Sequence, residues 1–114
     1  MAKQGFPRRY RIVRSSDYGA IYRESERLQG QQFVLYLRAN GLGHHRLGIT
    51  VSRKVGKAVV RNRIKRLFRE IFRRTCVEIP HDFDFVVNAR PACAGAGYER
   101  LREEFLSLVR RRCR

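Results

Sequence analysis

The stretch SRKVGKAVVRNRIKRLFREIFRR, Ser52 to Arg74, decides how the rest of the chain is read. It holds ten basic residues (Arg53, Lys54, Lys57, Arg61, Arg63, Lys65, Arg66, Arg69, Arg73 and Arg74) against one acid, Glu70. Gly56 interrupts what precedes it, and the spacing after it predicts a helix from about Lys57 to Arg74. At about 100° per residue, Val60, Ile64, Leu67, Phe68 and Ile71 form one apolar stripe. Arg61, Asn62, Lys65, Arg66, Arg69 and Arg73 fall within an arc of about 140° almost opposite, with Arg63 and Arg74 flanking the stripe on its other side. A merely solvated helix face mixes its charges, because like charges at i, i+4 repel. Here Arg61, Lys65, Arg69 and Arg73 form a ladder of one sign, and such a face meets phosphates. Arginine adds planar bidentate hydrogen bonding suited to phosphate, and Asn62 is able to bond a base edge or a sugar hydroxyl.

Upstream of this helix, Gln32–Arg38 (QFVLYLR) alternates, with Phe33, Leu35 and Leu37 on one face and Val34, Tyr36 and Arg38 on the other. Ala39–Gly43 has the glycines and asparagine of a turn, and RLGITVS, Arg46–Ser52, is expected to complete a hairpin. Its Leu47, Ile49 and Val51 face inward, while Gly48, Thr50 and Ser52 face outward. Ahead of the hairpin, Ser15 and Ser16 offer N-caps for a short helix through about Arg27, on which Tyr18, Ile21 and Tyr22 share a face. Downstream, FDFVVNA reads as a strand ended by Arg90-Pro91. Tyr98–Arg112 reads as a closing helix with Tyr98, Leu101, Phe105, Leu108 and Val109 in register. The expected fold is α+β, a single-domain two-layer α-β sandwich in the order α-β-β-β-α-β-α. A basic arm occupies residues 1–14, with Lys3, Arg8, Arg9, Arg11 and Arg14, and one domain occupies residues 15–114.

A chain of 114 residues supports one modest core. Its 26 Lys and Arg against 10 Asp and Glu leave a net charge of +16. That self-repulsion calls for a polyanionic partner, nucleic acid first and an acidic membrane surface second. No apolar run approaches the roughly 20 residues that span a bilayer, and no apolar segment follows the basic start MAKQGFPRRYRIVR as it would in a secretory signal. Cys76, Cys93 and Cys113 are odd in number and far apart, which disfavours a disulfide framework or a zinc site and fits reduced thiols in a cytoplasm.

The segment Lys57–Phe72, with its Arg61-Asn62-Arg63 core, closely resembles the signature helix of the bacterial ribonuclease P protein subunit. The resemblance continues through Arg11-Ile12, Asp17-Tyr18 and Tyr22, then Gln32–Tyr36, Arg46–Gly56, Ala89-Arg90-Pro91 and Tyr98 with Leu101. It implies a fold like the second domain of ribosomal protein S5, with a left-handed crossover carrying the basic helix between parallel strands. Periodicity cannot show that hand, since crossovers are right-handed in about 98% of cases. The resemblance also implies a protein that assists a catalytic RNA in removing the 5′ leader of precursor tRNA, with magnesium held by RNA. Neither catalytic residues nor a metal site are expected on the protein, and no membrane or DNA partner.

Positions Arg61, Asn62, Arg63, Lys65, Arg66, Arg69 and Arg73 would contact the catalytic RNA. A cleft of Tyr18, Tyr22, Val34, Tyr36, Thr50, Ser52, Arg53 and Lys54 would hold the single-stranded leader. From spacing alone, Tyr18, Ile21 and Tyr22 read more readily as core, and it is the resemblance that turns the reading to a cleft. The residues themselves support the cleft, because aromatic rings beside basic groups stack unpaired bases. The family usually has phenylalanine at the positions of Tyr18 and Tyr22, so two hydroxyls are added here. A stand-alone nuclease using His44, His45 or His81 with Asp82 and Asp84 is the rival reading, but adjacent strand residues point to opposite faces. A ribosomal or other structural RNA-binding protein is a third.

Overall fold

β4 (Phe83–Ala89) is the strand around which the molecule is built. Five consecutive residues of it, Phe83 to Val87, are buried, the near-continuous apolar run of a strand covered on both faces. The computed structural model describes residues 8–76, 79 and 82–112; Lys3, His81 and Cys113 lie outside them. Within these the order is α1 (Ser15–Glu24), β1 (Glu26–Gln29), β2 (Phe33–Ala39), β3 (Arg46–Thr50), α2 (Ala58–Thr75), β4 and α3 (Tyr98–Arg112). Short 3-10 turns occupy Arg8–Tyr10 and Pro91–Gly95. This is the expected α-β-β-β-α-β-α order.

The sheet runs β1-β2-β4-β3. β2 is antiparallel to both β1 and β4, while β3 is parallel to β4. The basic helix α2 is therefore the crossover of a β-α-β unit. The expected hairpin of Arg46–Ser52 with Gln32–Arg38 does not form, because β4 lies between them. The aspartates at the start of β4 hold the connecting loop open. Asn40 donates from its side chain to Asp84 Oδ1 at 2.8 Å, and the Gly43 N–H donates to Asp82 Oδ2 at 3.0 Å. Gly41 and Gly43 take positive φ (64° and 85°), which lets the loop reach across the end of the inserted strand.

Two further boundaries depart from expectation. The first helix ends at Glu24, and residues read as its last turn form β1, paired with β2 from Glu26↔Leu37 to Gln29↔Val34. Charge does not forbid an edge strand here, and Leu28 turns inward to the core. The N-cap of α1 is Arg14, with no side-chain cap bond, so neither Ser15 nor Ser16 caps it.

Alternation sorts the sheet. Phe33, Leu35, Leu37, Phe85 and Val87 face α2 and α3, where they meet Ile64, Phe68, Ile71, Leu101 and Phe105 in the main core. Val86 faces the other way and packs with Ile12 and Ile21 beneath α1. Glu104 of α3 accepts the backbone N–H groups of Gln32 and Phe33 at 3.0 and 3.2 Å, which pins α3 to the start of β2. Residues 8–14 are not a free arm: Ile12 is buried, and its N–H donates to the Leu47 carbonyl at the edge of β3. No helix among the described residues is long and apolar enough to cross a membrane.

Candidate nucleic-acid interface

The apolar stripe of α2 is seated on the sheet, so the opposite face is turned outward. Ile64, Phe68 and Ile71 are buried, with Val60 and Leu67 packed beside them. Of the seven positions read as a cationic face, three are restrained. Arg61 Nε donates to the Gly56 carbonyl at 3.1 Å, and Arg63 Nη2 to the Ala94 carbonyl at 2.7 Å. Arg73 pairs with Glu70 at 2.6 Å, and Arg74 joins the same carboxylate at 2.5 Å. Hydrogen bonds from Arg73 and then Arg74 hold the Glu70 carboxyl below its ordinary range. Asn62, Lys65, Arg66 and Arg69 have no hydrogen-bond or ion-pair partner among the described residues. They are the side chains free to bind a polyanion.

The opposite sheet face is ordered in three rows across the strands. The first is ionic: Arg38 of β2, Asp84 of β4 and Arg46 of β3 stand side by side. Asp84 is fully buried and accepts from Arg38 at 3.0 Å, from Arg46 at 2.8 Å through each oxygen, and from Asn40. Arg46 reaches on to Asp17, and Arg38 to Glu24, at the two ends of α1. The helix is thus tied to the sheet by a closed circuit of ion pairs. Burial pushes the Asp84 carboxyl up, but the hydrogen bonds from Arg46, Asn40 and Arg38 together outweigh it and hold the group below the ordinary carboxylate range.

The second row is Tyr36, Val86 and Gly48, and the third is Val34, Asn88 and Thr50. Over these lie the rings of α1. Tyr18 rests on Gly48, where a Cβ would sit 2.5 Å from its hydroxyl oxygen and 2.8 and 2.9 Å from two ring carbons. Burial, then the neighbouring Tyr22, raise the Tyr18 pKa, with the Ile49 backbone acting the other way. Tyr22 packs edge-on against Tyr36 (centroids 4.8 Å apart, 80° between planes), and its hydroxyl donates to Asn88 Oδ1 at 3.0 Å. Tyr18 and Tyr22 are 6.4 Å apart. The three rings form a strip whose inner members, Tyr18 and Tyr36, also pack on the small core of Ile12, Ile21 and Val86. Tyr18 and Tyr36 are therefore half-buried as parts of this core, while Tyr22 is 39% exposed.

The other cleft positions continue from the third row. Val34 is buried; Thr50, Ser52, Arg53 and Lys54 are exposed, the last three in the turn that leads to α2. Sequence reading missed Asn88, and considered Asp84 only as an acid–base group of the rival nuclease rather than as the centre of an ion-pair row. A signal was present, since the period-2 pattern of FDFVVNA places Asp84, Val86 and Asn88 on the face away from the main core.

The adjacent histidines do not converge. His44 Nε2 lies 3.0 Å from the Arg9 carbonyl and its ring is edge-on to Tyr10. His45 accepts the Phe83 N–H at Nδ1 (3.0 Å), which leaves Nε2 to donate to the Ile79 carbonyl. Among the described residues, no three His, Cys, Asp or Glu side chains gather as a metal site would require. Cys93 is buried and its thiol is pushed up to about 11 by desolvation; burial raises Cys76 further still.

A four-stranded sheet whose parallel crossover is a cationic helix, with a tyrosine strip on its other face, defines a class of small basic α+β proteins. Comparison with known proteins narrows the class. The family model Ribonuclease P matches residues 6–113. The chain is 44% identical to the ribonuclease P protein component of Thermotoga sp. (strain RQ2), over 95% of this chain and 96% of that one. It is 41% identical to the ribonuclease P protein component of Escherichia coli O157:H7, over 100% and 96%. Among solved structures, the RNase P protein from Thermotoga maritima superposes with a TM-score of 0.80 at 41% identity, covering 89% of this chain and 96% of that one. The RNase P protein of Staphylococcus aureus gives 0.81 at 33% identity, covering 90% and 94%. The chain belongs to the ribonuclease P protein family.

Proposed function

We propose that this protein is the RNA-binding subunit of ribonuclease P, an endoribonuclease ribonucleoprotein that removes the 5′ leader of precursor tRNA. In this reading the RNA subunit performs the chemistry with RNA-bound magnesium. The protein binds the leader and stabilises the active RNA conformation, in the cytoplasm and with no DNA partner. The observation that carries the proposal is the free set on α2, the cations Lys65, Arg66 and Arg69 with the amide of Asn62, on a sheet that carries a tyrosine strip on its other face, in a chain of this family. Arg61, Asn62, Arg63, Lys65, Arg66, Arg69 and Arg73 then form the side toward the catalytic RNA. Tyr18, Tyr22, Val34, Tyr36, Thr50, Ser52, Arg53 and Lys54 form the side toward the leader, with Tyr22 offering the accessible ring for stacking.

The test is cleavage of precursor tRNA by protein alone, cognate RNA alone, and both together over a magnesium titration. The protein alone should cleave nothing, and adding it to the RNA should lower the magnesium requirement. Cleavage by purified protein that His44→Ala or His81→Ala abolishes would instead establish the nuclease.

A further inference from the structure

β3 is an edge strand, and among the described residues only its first half is covered. Arg11 bridges to Leu47, and the Ile12 N–H donates to the Leu47 carbonyl. Beyond that point a groove of about 110 Å³ opens, lined by Arg11, Tyr18, Gly48, Ile49, Lys65 and Arg69 among others. This is room for a few waters or one tetrahedral oxyanion. Among the described residues, three cations border it and no carboxylate lines it. Asp17, next to Tyr18, is turned to Arg46. Arg11, Lys65 and Arg69 have no ion-pair partner among the described residues. Tyr18 brings its hydroxyl, an O–H donor.

The position of the groove identifies its occupant. Tyr18 is a wall of both this groove and the tyrosine strip, while Lys65 and Arg69 are the members of the α2 face that line it. A single strand lying on the tyrosines and running toward α2 has to cross the edge of β3 here. We propose that this groove is an oxyanion subsite that holds one backbone phosphate of the single-stranded leader, so that Lys65 and Arg69 grip the leader rather than the catalytic RNA. This rests on the function proposed above and moves two of its residues, Lys65 and Arg69, from the side toward the catalytic RNA to the side toward the leader.

The test walks a single neutral methylphosphonate linkage through the leader of precursor tRNA and measures binding to the reconstituted holoenzyme. With the parent protein, one linkage should cost roughly tenfold in affinity, the scale of a charge-assisted hydrogen bond. In Lys65→Gln with Arg69→Gln, and separately in Arg11→Gln, precursor affinity should fall, and that linkage should now cost less than about twofold while others keep their effect. An unchanged linkage profile in these variants overturns the subsite, whatever happens to overall affinity. Assembly of each variant with catalytic RNA alone is measured alongside. Weakened assembly with an unchanged profile places the groove on the catalytic RNA and leaves the proposed function standing. A parent profile flat at every linkage removes both the subsite and the claim that the protein holds the leader. Melting of each variant excludes loss of the fold.

Discussion

Gly48→Ala tests how the first helix is seated. Gly48 lies in the middle row of the sheet, and a Cβ there would meet the Tyr18 hydroxyl oxygen at 2.5 Å and two ring carbons at 2.8 and 2.9 Å. Ordinary carbon contacts are about 3.5–4.0 Å, so the ring has to lift by up to about 1 Å. It does not lift freely, because Asp17 is held by Arg46 and Tyr22 by Asn88 on the same helix. Overpacking of this kind costs about 1–3 kcal/mol. Removing the ring removes the cost: in a Tyr18→Ala background, Gly48→Ala should be neutral or stabilise by up to about 1 kcal/mol through the unfolded chain. Tyr18→Phe should give little relief, since the two ring carbons remain. Urea unfolding of the parent, both single variants and the double variant supplies the coupling energy, expected at about 2 kcal/mol. Gly48→Ala should also lower holoenzyme affinity for precursor tRNA more than for mature tRNA. Equal losses of stability in the two backgrounds would refute the proposed seating of Tyr18 on Gly48.

Asp84→Asn should destabilise the fold by about 3 kcal/mol, because two arginines lose a buried counter-charge. The folded-state pKa of Asp84 is depressed, so its contribution is complete above about pH 4 and is lost as pH falls further. Urea midpoints measured from neutral pH downward should therefore drop less steeply in acid for the variant than for the parent. Tyr22→Phe should lower stability by about 0.5–1 kcal/mol through the lost bond to Asn88 and leave leader affinity nearly unchanged. Tyr22→Ala should weaken precursor binding by about 1–3 kcal/mol, with mature tRNA unaffected. Arg66→Ala should reduce the slope of log K against log salt for catalytic-RNA binding by about 1. Arg73→Ala should change it less, since Arg73 already shares the Glu70 carboxylate with Arg74.

The elements with strong periodicity were legible in the sequence. α2 and α3 follow their apolar spacing, and β4 spans the residues its composition indicates. Failures came where partners far along the chain decide. The turn residues Asn40 to Gly43 indicate a reversal, but they do not say which strand fills the gap. That depended on Asp82 and Asp84 reaching back to Asn40 and Gly43. Likewise Glu26–Gln29 carries no strand pattern of its own, and pairing with β2 makes it one. At the candidate site, the outward face of α2 was legible because a one-sign ladder is costly without a partner. Which of its members are free was not, since Arg61, Arg63 and Arg73 are engaged by Gly56, Ala94 and Glu70. The roles of Tyr18 and Tyr22 depended on the space above Gly48 and on Asn88, neither visible from local spacing.

The central place of β4 has a consequence for how the chain comes to exist. β2 and β3 share no hydrogen bonds, and each finds its main partner in a strand that begins at Phe83. During synthesis from the N-terminus, the β1–β2 pair and the basic helix are made before anything can join them into a sheet. Nearly three quarters of the polypeptide, with most of its arginine, waits on the seven residues from Phe83 to Ala89. Assembly is governed by distant contacts that close late. Until then the cationic helix has been produced without the strand that completes the core orienting it.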